Sequence, residues 1–263
     1  SDVYKRQDGA YEWIRIHHGH SFGLSYHTDR LYRSMRLLGI RPVTAPDEFT
    51  EIVEVVVEES EIEEGYVKII VTRGSDDHNF TIPARSALQP NVLVYGKPID
   101  LNAIEKVQSG VNCITLDDDR GHHCDILSLN QLNNMMARAE AQKKNCYDAV
   151  FIKDGLLTEA SHSNVCIVKA GVIWTPATNE HMIRGVTRSL VLTRAAPSAG
   201  VTSIDEASEP VRFEDMMTAE EVFLTNSQDG IIPVLSIDGN PIGGGKVGDV
   251  TKKIQEHYAH LME

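Results

Sequence analysis

The sequence predicts an α+β fold in two domains, and three observations carry that expectation. The 263 residues suffice for two modest domains or one large one. Stretches with strand-like alternation and stretches with helix-like spacing of apolar residues are interspersed along the chain. A turn-forming stretch, Gly96-Lys97-Pro98-Ile99-Asp100, separates the first group from the second. We therefore expect a small N-terminal α/β domain at residues 1–96, a linker at 97–101, and a larger C-terminal domain of mixed β structure and helices at 102–263.

Taken in order, Tyr11 to His17 alternates and is rich in β-formers, so it reads as a strand, with His18-Gly19-His20 as its turn. Ser25 to Leu38 places Leu31, Met35 and Leu38 at helical spacing, and Gly39 closes the helix. Pro46 to Glu59 is a second helix with an acidic face, despite β-branched residues that lower helix propensity. Tyr66 to Thr72 and Asn91 to Tyr95 read as strands. Beyond the linker, Val111 to Leu116 is a strand and Asn130 to Lys143 a helix rich in Met, Ala and Leu. Ala149 to Lys153 and Val165 to Lys169 are strands around an Asp154-Gly155 turn. Ile183 to Ala196 is a helix that begins near Gly185 and is ended by Pro197. Val222 to Thr225 is a buried strand, and Thr251 to Leu261 a terminal amphipathic helix. There is no internal repeat and no low-complexity segment.

Composition narrows the function classes. Apolar residues make up 41% and the formal charge is −13, which argues against a nucleic-acid or acidic-membrane partner. No apolar run approaches the roughly 20 residues of a membrane helix. Cys113, Cys124, Cys146 and Cys166 are widely spaced, fit no zinc pattern and read as free thiols, so a cytoplasmic location is expected. His122-His123-Cys124 offers metal-ligating atoms, but no partner cluster accompanies it, and we expect no metal. Ser1 to Gln7 has no initiator Met and no apolar signal core, and we read it as an unrelated leader on a truncated chain.

A series of short blocks carries the chemistry. They are Asp8-Gly9-Ala10-Tyr11-Glu12, His27-Thr28-Asp29-Arg30-Leu31, Thr72-Arg73-Gly74, Cys124-Asp125-Ile126-Leu127-Ser128-Leu129-Asn130, Thr158-Glu159-Ala160-Ser161-His162-Ser163-Asn164, Thr175-Pro176, Gly185-Val186-Thr187-Arg188, Glu221-Val222-Phe223-Leu224-Thr225 and Pro233-Val234. In this order, the blocks resemble those of the class IV aminotransferases, the fold-type IV enzymes that use pyridoxal 5′-phosphate, and most of all the D-amino-acid aminotransferases. The resemblance covers nearly the whole chain. It implies a two-domain fold-type IV architecture, pyridoxal phosphate as cofactor, an amino acid and a 2-oxo acid as substrates, and a homodimer.

It also implies roles for single residues. Glu159 matches the glutamate beside the pyridine nitrogen, where a carboxylate keeps the ring protonated and electron-accepting. Arg30 matches the arginine on the cofactor phosphate, a task suited to a forked cation. Gly185, Val186 and Thr187 match the phosphate cup, where an opening helical turn offers unpaired N–H groups. Ser227 holds a place where relatives offer a hydroxyl to the same phosphate; read alone, it is a turn serine. Tyr11 matches a tyrosine close to cofactor and substrate, and equally fits a strand tyrosine packed in the core.

The chain departs from the family pattern twice. Leu127 stands where the family has the lysine that holds the cofactor as a Schiff base and then moves the substrate proton. Leucine has no lone pair and no titrating group. No lysine adjoins it: Lys143 and Lys144 end the following helix, and Lys153 lies on the next strand. The second departure is the loop after Gly74, Ser75-Asp76-Asp77-His78-Asn79-Phe80. There His78 takes the place of an arginine that clamps the substrate carboxylate in the D-amino-acid enzymes. The expectation is an aminotransferase-type protein of the D-amino-acid and branched-chain class, impaired by Leu127, with the cofactor held noncovalently. The alternatives are a non-catalytic homologue that binds pyridoxal phosphate or another phosphorylated ligand, and a related lyase such as aminodeoxychorismate lyase.

Overall fold

A computed structural model describes residues 8–74, 88–204 and 210–263. The chain divides into two compact units, Ser1–Ile99 with Ile126–Gln131, and Asp100–Asp125 with Leu132–Glu263.

The first unit contains β1 (Gly9–His17), β2 (His20–Ser21), α1 (Leu24–Leu38), α2 (Pro46–Glu59), β3 (Glu64–Thr72) and β4 (Asn91–Pro98). The strands form an antiparallel sheet in the order β2-β1-β3-β4. Successive side chains of a strand face opposite ways, so Ala10, Ile14 and Ile16 share one face of β1 while Tyr11 and Trp13 share the other. The first face packs with Leu31 and Met35 of α1 and with Phe49 and Val53 of α2 into one buried core. α2 forms despite its valines because Pro46 opens it, Asp47 and Glu48 suit the positive end of its dipole, and Val53 and Val57 gain burial. α1 ends at Gly39, which has a φ of 69°, and the Ile40 N–H donates back to the Met35 carbonyl at 2.8 Å with the Ile40 side chain buried. Arg73 then donates to the Leu38 and Gly39 carbonyls (2.7 and 3.1 Å) and to the Asp8 carboxylate (2.6 and 3.0 Å). The Thr72-Arg73-Gly74 block is thus a clasp that fastens the end of α1 to the start of β1.

Residues 126–131 belong to this unit through the backbone of β1. The Tyr11 N–H donates to the Leu127 carbonyl (3.1 Å), the Leu129 N–H donates to the Gly9 carbonyl (2.9 Å), and Ala10 and Ser128 form an antiparallel bridge.

The second unit holds α3 (Leu101–Gln108), β5 (Val111–Asp117), α4 (Leu132–Lys143), β6 (Asp148–Lys153), β7 (Leu156–Ala160), β8 (Asn164–Lys169), β9 (Val172–Trp174), α5 (Val186–Leu190), α6 (Ala196–Ser198), β10 (Ser203–Ile204), α7 (Phe213–Met217), β11 (Glu221–Asn226), β12 (Gly230–Ile237), β13 (Asn240–Pro241) and α8 (Asp249–Met262). Its mixed sheet runs β10-β9-β8-β11-β12-β5-β6-β7, with β13 on β12. The contacts β12 to β5, β5 to β6 and β9 to β10 are parallel; the others are antiparallel. Val165, Ile167, Val222, Leu224, Ile232 and Val234 build the core across its middle.

Several local outcomes differ from the sequence reading: the Asp154-Gly155 turn joins β6 to β7 rather than to β8, and β7 and β12 are strands the sequence pattern did not announce. The helix expected from Asn130 starts at Leu132, because residues up to Gln131 are committed to the first unit. The helix expected over Ile183–Ala196 starts at Val186, with Gly185 as its extended N-cap, and passes through a π-helical turn at Val191–Ala195. In a regular α-helix, the ring of Pro197 would crowd the carbonyl four residues back, and the ladder widens just before it. Asp100 accepts from the Asn102 N–H at 3.0 Å and so caps α3, a helix the sequence pattern did not announce.

Gly9 is where the bridge to residues 126–131 is most confined. A Cβ there would lie 2.4 Å from the Val71 carbonyl oxygen and 2.8 Å from Leu129 Cδ1. Gly9→Ala is expected to cost about 1–3 kcal/mol, as overpacking does, read as a lower urea midpoint with an unchanged slope. A variant as stable as the parent would contradict this close approach.

Candidate active site

In the first unit, Glu12 is fully buried on the helix-covered face of β1. Arg30 grips it with both edges of a fork, Nε to Oε1 at 2.8 Å and NH2 to Oε2 at 2.7 Å, and His27 Nδ1 lies 2.7 Å from Oε2. His27 and Arg30 are three residues apart on α1 and so share its inner face. Burial pushes the Glu12 carboxyl up, but Arg30 and His27 outweigh it and hold the group below its ordinary value. Burial also keeps His27 below the usual imidazole range, against the pull of Glu12. Arg30 is therefore a partly buried cation whose orientation is fixed by a buried carboxylate. Tyr11 and Leu127 come together in this unit through the backbone bond described above, with Leu127 half-buried. His78 lies outside the described residues.

At the far end of the sheet, His17, His18 and Glu64 hold ligand atoms within 4.8 Å of one another. They form the one such metal-capable group among the described residues. The Arg15 guanidinium hydrogen-bonds the other oxygen of Glu64 and supplies its counter-charge.

In the second unit, Glu159 sits on β7 with 4% exposure. The loop after β5 folds Arg120 against it, with NH1 donating to Oε1 at 2.5 Å. The same guanidinium is shared with Asp118, Nε to Oδ1 at 2.9 Å and NH2 to Oδ2 at 2.8 Å, and it stacks on the Phe151 ring at 4.3 Å. Thr158 Oγ1 donates to Asp118 at 2.8 Å. The second Glu159 oxygen accepts from the Ile183 N–H at 2.9 Å and from Asn164 Nδ2 at 3.3 Å. Burial raises the Glu159 carboxyl to about 7, and Arg120 only partly opposes it. Asp118, with both its oxygens on Arg120, is held below its usual value even though burial pushes it up.

Asn164 links Glu159 to the opening of α5. Its Nδ2 also donates to the Ile183 carbonyl at 2.8 Å, and a Cβ on Gly185 would strike its Oδ1 at 2.0 Å. Only glycine allows this approach. Val186 and Thr187 are buried, and Thr187 Oγ1 lies 3.2 Å from the Tyr258 hydroxyl. Thr225, paired with Asn164 across β11 and β8, has a buried Oγ1 with no hydrogen-bond partner among the described residues. Ser227 is half-buried in the following turn, which Asn226 Oδ1 fixes by accepting from the Gln228 and Asp229 N–H groups at 3.0 and 2.7 Å. No hydrogen bond joins Ser227 to residues 185–187 among the described residues.

The amino-transferase class IV family model matches residues 9–237. The chain belongs to the class IV aminotransferases. The family depends on pyridoxal phosphate. The D-alanine aminotransferase of Staphylococcus aureus strain N315 is 32% identical over 256 residues, 97% of this chain and 89% of that protein. The D-alanine aminotransferase of Bacillus licheniformis is 37% identical over 252 residues, 96% and 87% of the two chains. Among solved structures, the Escherichia coli branched-chain amino acid aminotransferase superposes with a TM-score of 0.88 at 21% identity, covering 100% of this chain and 87% of that one. The two-domain fold-type IV architecture follows.

Several family blocks of this class IV aminotransferase are structural. Arg188 donates to Thr175 Oγ1 and the Pro176 carbonyl at 3.1 and 3.0 Å, tying two of the blocks together. Ser161 and Ser163 hydrogen-bond the buried Asp148. Glu221 caps α8 by accepting from the Val250 and Thr251 N–H groups at 3.0 and 2.7 Å. Sequence reasoning singled out neither Arg120 with Asp118 nor Glu12 with His27 as a constellation. An arginine two residues after an aspartate was the available signal for the first pair.

Glu159 makes stability pH-dependent in a definite direction. Its folded value of about 7 exceeds the ordinary 4.5, so between these values the native state holds a proton that the unfolded chain has released. Its contribution is fully present below the ordinary value and is lost as pH rises through about 7. Compared with Glu159→Gln, the parent should lose about 3 kcal/mol of unfolding free energy between about pH 4 and about pH 8. Urea titrations of both proteins across that range check it, and parallel pH profiles would remove the basis for a raised Glu159.

Proposed function

We propose that this chain binds pyridoxal 5′-phosphate and moves an amino group between an amino acid and a 2-oxo acid, slowly, because Leu127 occupies the position of the family lysine. The observation that carries the reading is Glu159. Two carboxylates share one guanidinium there, and the carboxyl left undercompensated is the one in the Thr-Glu block. A protonated pyridine nitrogen is the cation that chemistry would accept.

The donor set fits the rest of the cofactor. Thr225 Oγ1 is a buried hydroxyl without a partner among the described residues, and Gly185 approaches Asn164 where no side chain could. Glu159 would hold a proton at the ring nitrogen, with Arg120, Asn164 and the Ile183 N–H fixing the carboxylate. Gly185, Val186, Thr187 and Ser227 would offer the phosphate their N–H and hydroxyl groups, and Arg30, in an orientation set by Glu12, keeps the phosphate role that the family resemblance implies. When bound, the cofactor supplies an electron sink for the substrate's α-carbon. Tyr11 would donate its phenolic proton toward the substrate, and His78 takes the place of a carboxylate clamp. Leu127 leaves no base at its position to remove the α-proton. The D-alanine aminotransferase relatives make D-alanine the first amino donor to try. A homodimer and a cytoplasmic location are the setting the family resemblance implies.

Leu127→Lys is the direct test. The variant should attach pyridoxal phosphate at residue 127 and transfer the amino group of D-alanine to a 2-oxo acid about 10²–10⁴-fold faster, the range associated with restoring a general base. Borohydride reduction with peptide mapping, and a coupled assay for pyruvate, measure the two effects. A folded variant that takes up no pyridoxal phosphate would sink the reading.

A further inference from the structure

Leu127 offers no amine, yet a lysine of the same unit lies beside Tyr11, the residue that the Leu127 backbone binds. Lys68 lies on β3 directly opposite Trp13 of β1, and Ile70, two residues on, lies opposite Tyr11. Tyr11, Trp13 and Lys68 therefore share the sheet face turned away from α1 and α2. Lys68 Nζ lies 4.5 Å from the centre of the Trp13 ring and 5.4 Å from that of Tyr11. Tyr11 is the residue whose N–H holds the Leu127 carbonyl at 3.1 Å. The missing amine position and the Lys68 amine thus flank one residue.

The environment of Lys68 is unusual for a lysine. It is half-buried, and no carboxylate among the described residues hydrogen-bonds or ion-pairs with it. Two ring faces lie within cation–π distance of it. Burial holds its pKa below the ordinary lysine value, which raises the fraction present as free amine. Lys97, the other lysine of this unit among the described residues, is exposed on β4. Desolvation is one of the ways in which enzymes activate a lysine as an amine nucleophile.

We infer that Lys68 takes over the covalent role of the amine missing at position 127 and condenses with the aldehyde of pyridoxal phosphate; this rests on the pyridoxal-phosphate reading above. The Lys68 nitrogen lone pair forms a bond to the aldehyde carbon. The aldehyde oxygen leaves as water with the two amine protons, and a C=N bond replaces C=O with no change of oxidation state. Borohydride then supplies the hydride that converts this linkage to a stable secondary amine.

The experiment is reduction of the wild-type protein in the presence of pyridoxal phosphate, followed by peptide mapping. The phosphopyridoxyl group is expected on Lys68, and Lys68→Arg, which keeps a cation over the two rings, should lose it. Lys68→Met serves as a second variant, and thermal melts establish that each is folded. An adduct on another lysine, an adduct spread over surface lysines, or an undiminished yield in folded Lys68→Arg would overturn the inference. Pyridoxine 5′-phosphate has no aldehyde and reports on the pocket alone, by fluorescence titration of the wild type. Binding of that probe without an adduct on Lys68 defeats only the Lys68 assignment. Absence of binding defeats the pyridoxal-phosphate reading itself.

Discussion

Burying a carboxylate is costly unless a cation meets it, and both units are organised around that constraint. The first unit buries one carboxylate, Glu12, and gives it a whole arginine fork plus an imidazole. Its charge is fully compensated, and the group stays ionised. The second unit buries Asp118 and Glu159 beside each other and gives the pair a single arginine; its other buried carboxylate among the described residues, Asp148, is met by backbone N–H groups and the Ser163 hydroxyl instead. The proton affinities of such a pair separate, one pushed down and the other up. Asp118 takes two of the guanidinium bonds and stays low, while Glu159 takes one and rises to about 7. Simple charge counting thus explains why two buried glutamates in one chain are driven in opposite directions.

That imbalance was only half legible in the sequence. Glu159 was visible because it sits in a Thr-Glu pair followed by Ser161 to Asn164. Arg120 was not, because Asp117-Asp118-Asp119-Arg120-Gly121 reads as a solvated, charged loop. What turns it inward is a tertiary event: the loop leaves β5 with Arg120 lying over Phe151 of β6 and reaching Glu159 on β7. No pattern within a short window encodes that. Long, periodic elements such as β1, α1, α2 and α8 were read closely, since their apolar spacing is a direct record of one-sided burial. Short strands such as β9 and β13 were not, because two or three residues carry no period.

The family blocks divide along a related line. A block that looks functional in sequence can owe its residues to structure. Arg73 fastens a helix end to the first strand, and Arg188 ties Thr175 and Pro176 to α5. Arg30, for which a phosphate role is proposed, is itself fixed by a buried carboxylate. Arg73 and Arg30 each spend two donors on one carboxylate, Asp8 and Glu12, but Arg73 also holds the Leu38 and Gly39 carbonyls at the end of α1.

The segment around Leu127 shows why the side chain at this position need not govern the fold. Residues 127 to 129 are joined to β1 by main-chain bonds, from the Tyr11 N–H to the Leu127 carbonyl and from the Leu129 N–H to the Gly9 carbonyl. These bonds do not depend on the side chain at 127. Structure and covalent chemistry at this position are therefore separable. The same cannot be said of Glu159. Holding a carboxyl at about 7 instead of its ordinary 4.5 costs about 3 kcal/mol at neutral pH. A scaffold with no cation to receive would gain that stability back from any neutral residue of similar shape. An undercompensated glutamate near a glycine-opened helix, with a Thr225 hydroxyl that has no partner among the described residues, is the donor set on which the pyridoxal-phosphate proposal draws.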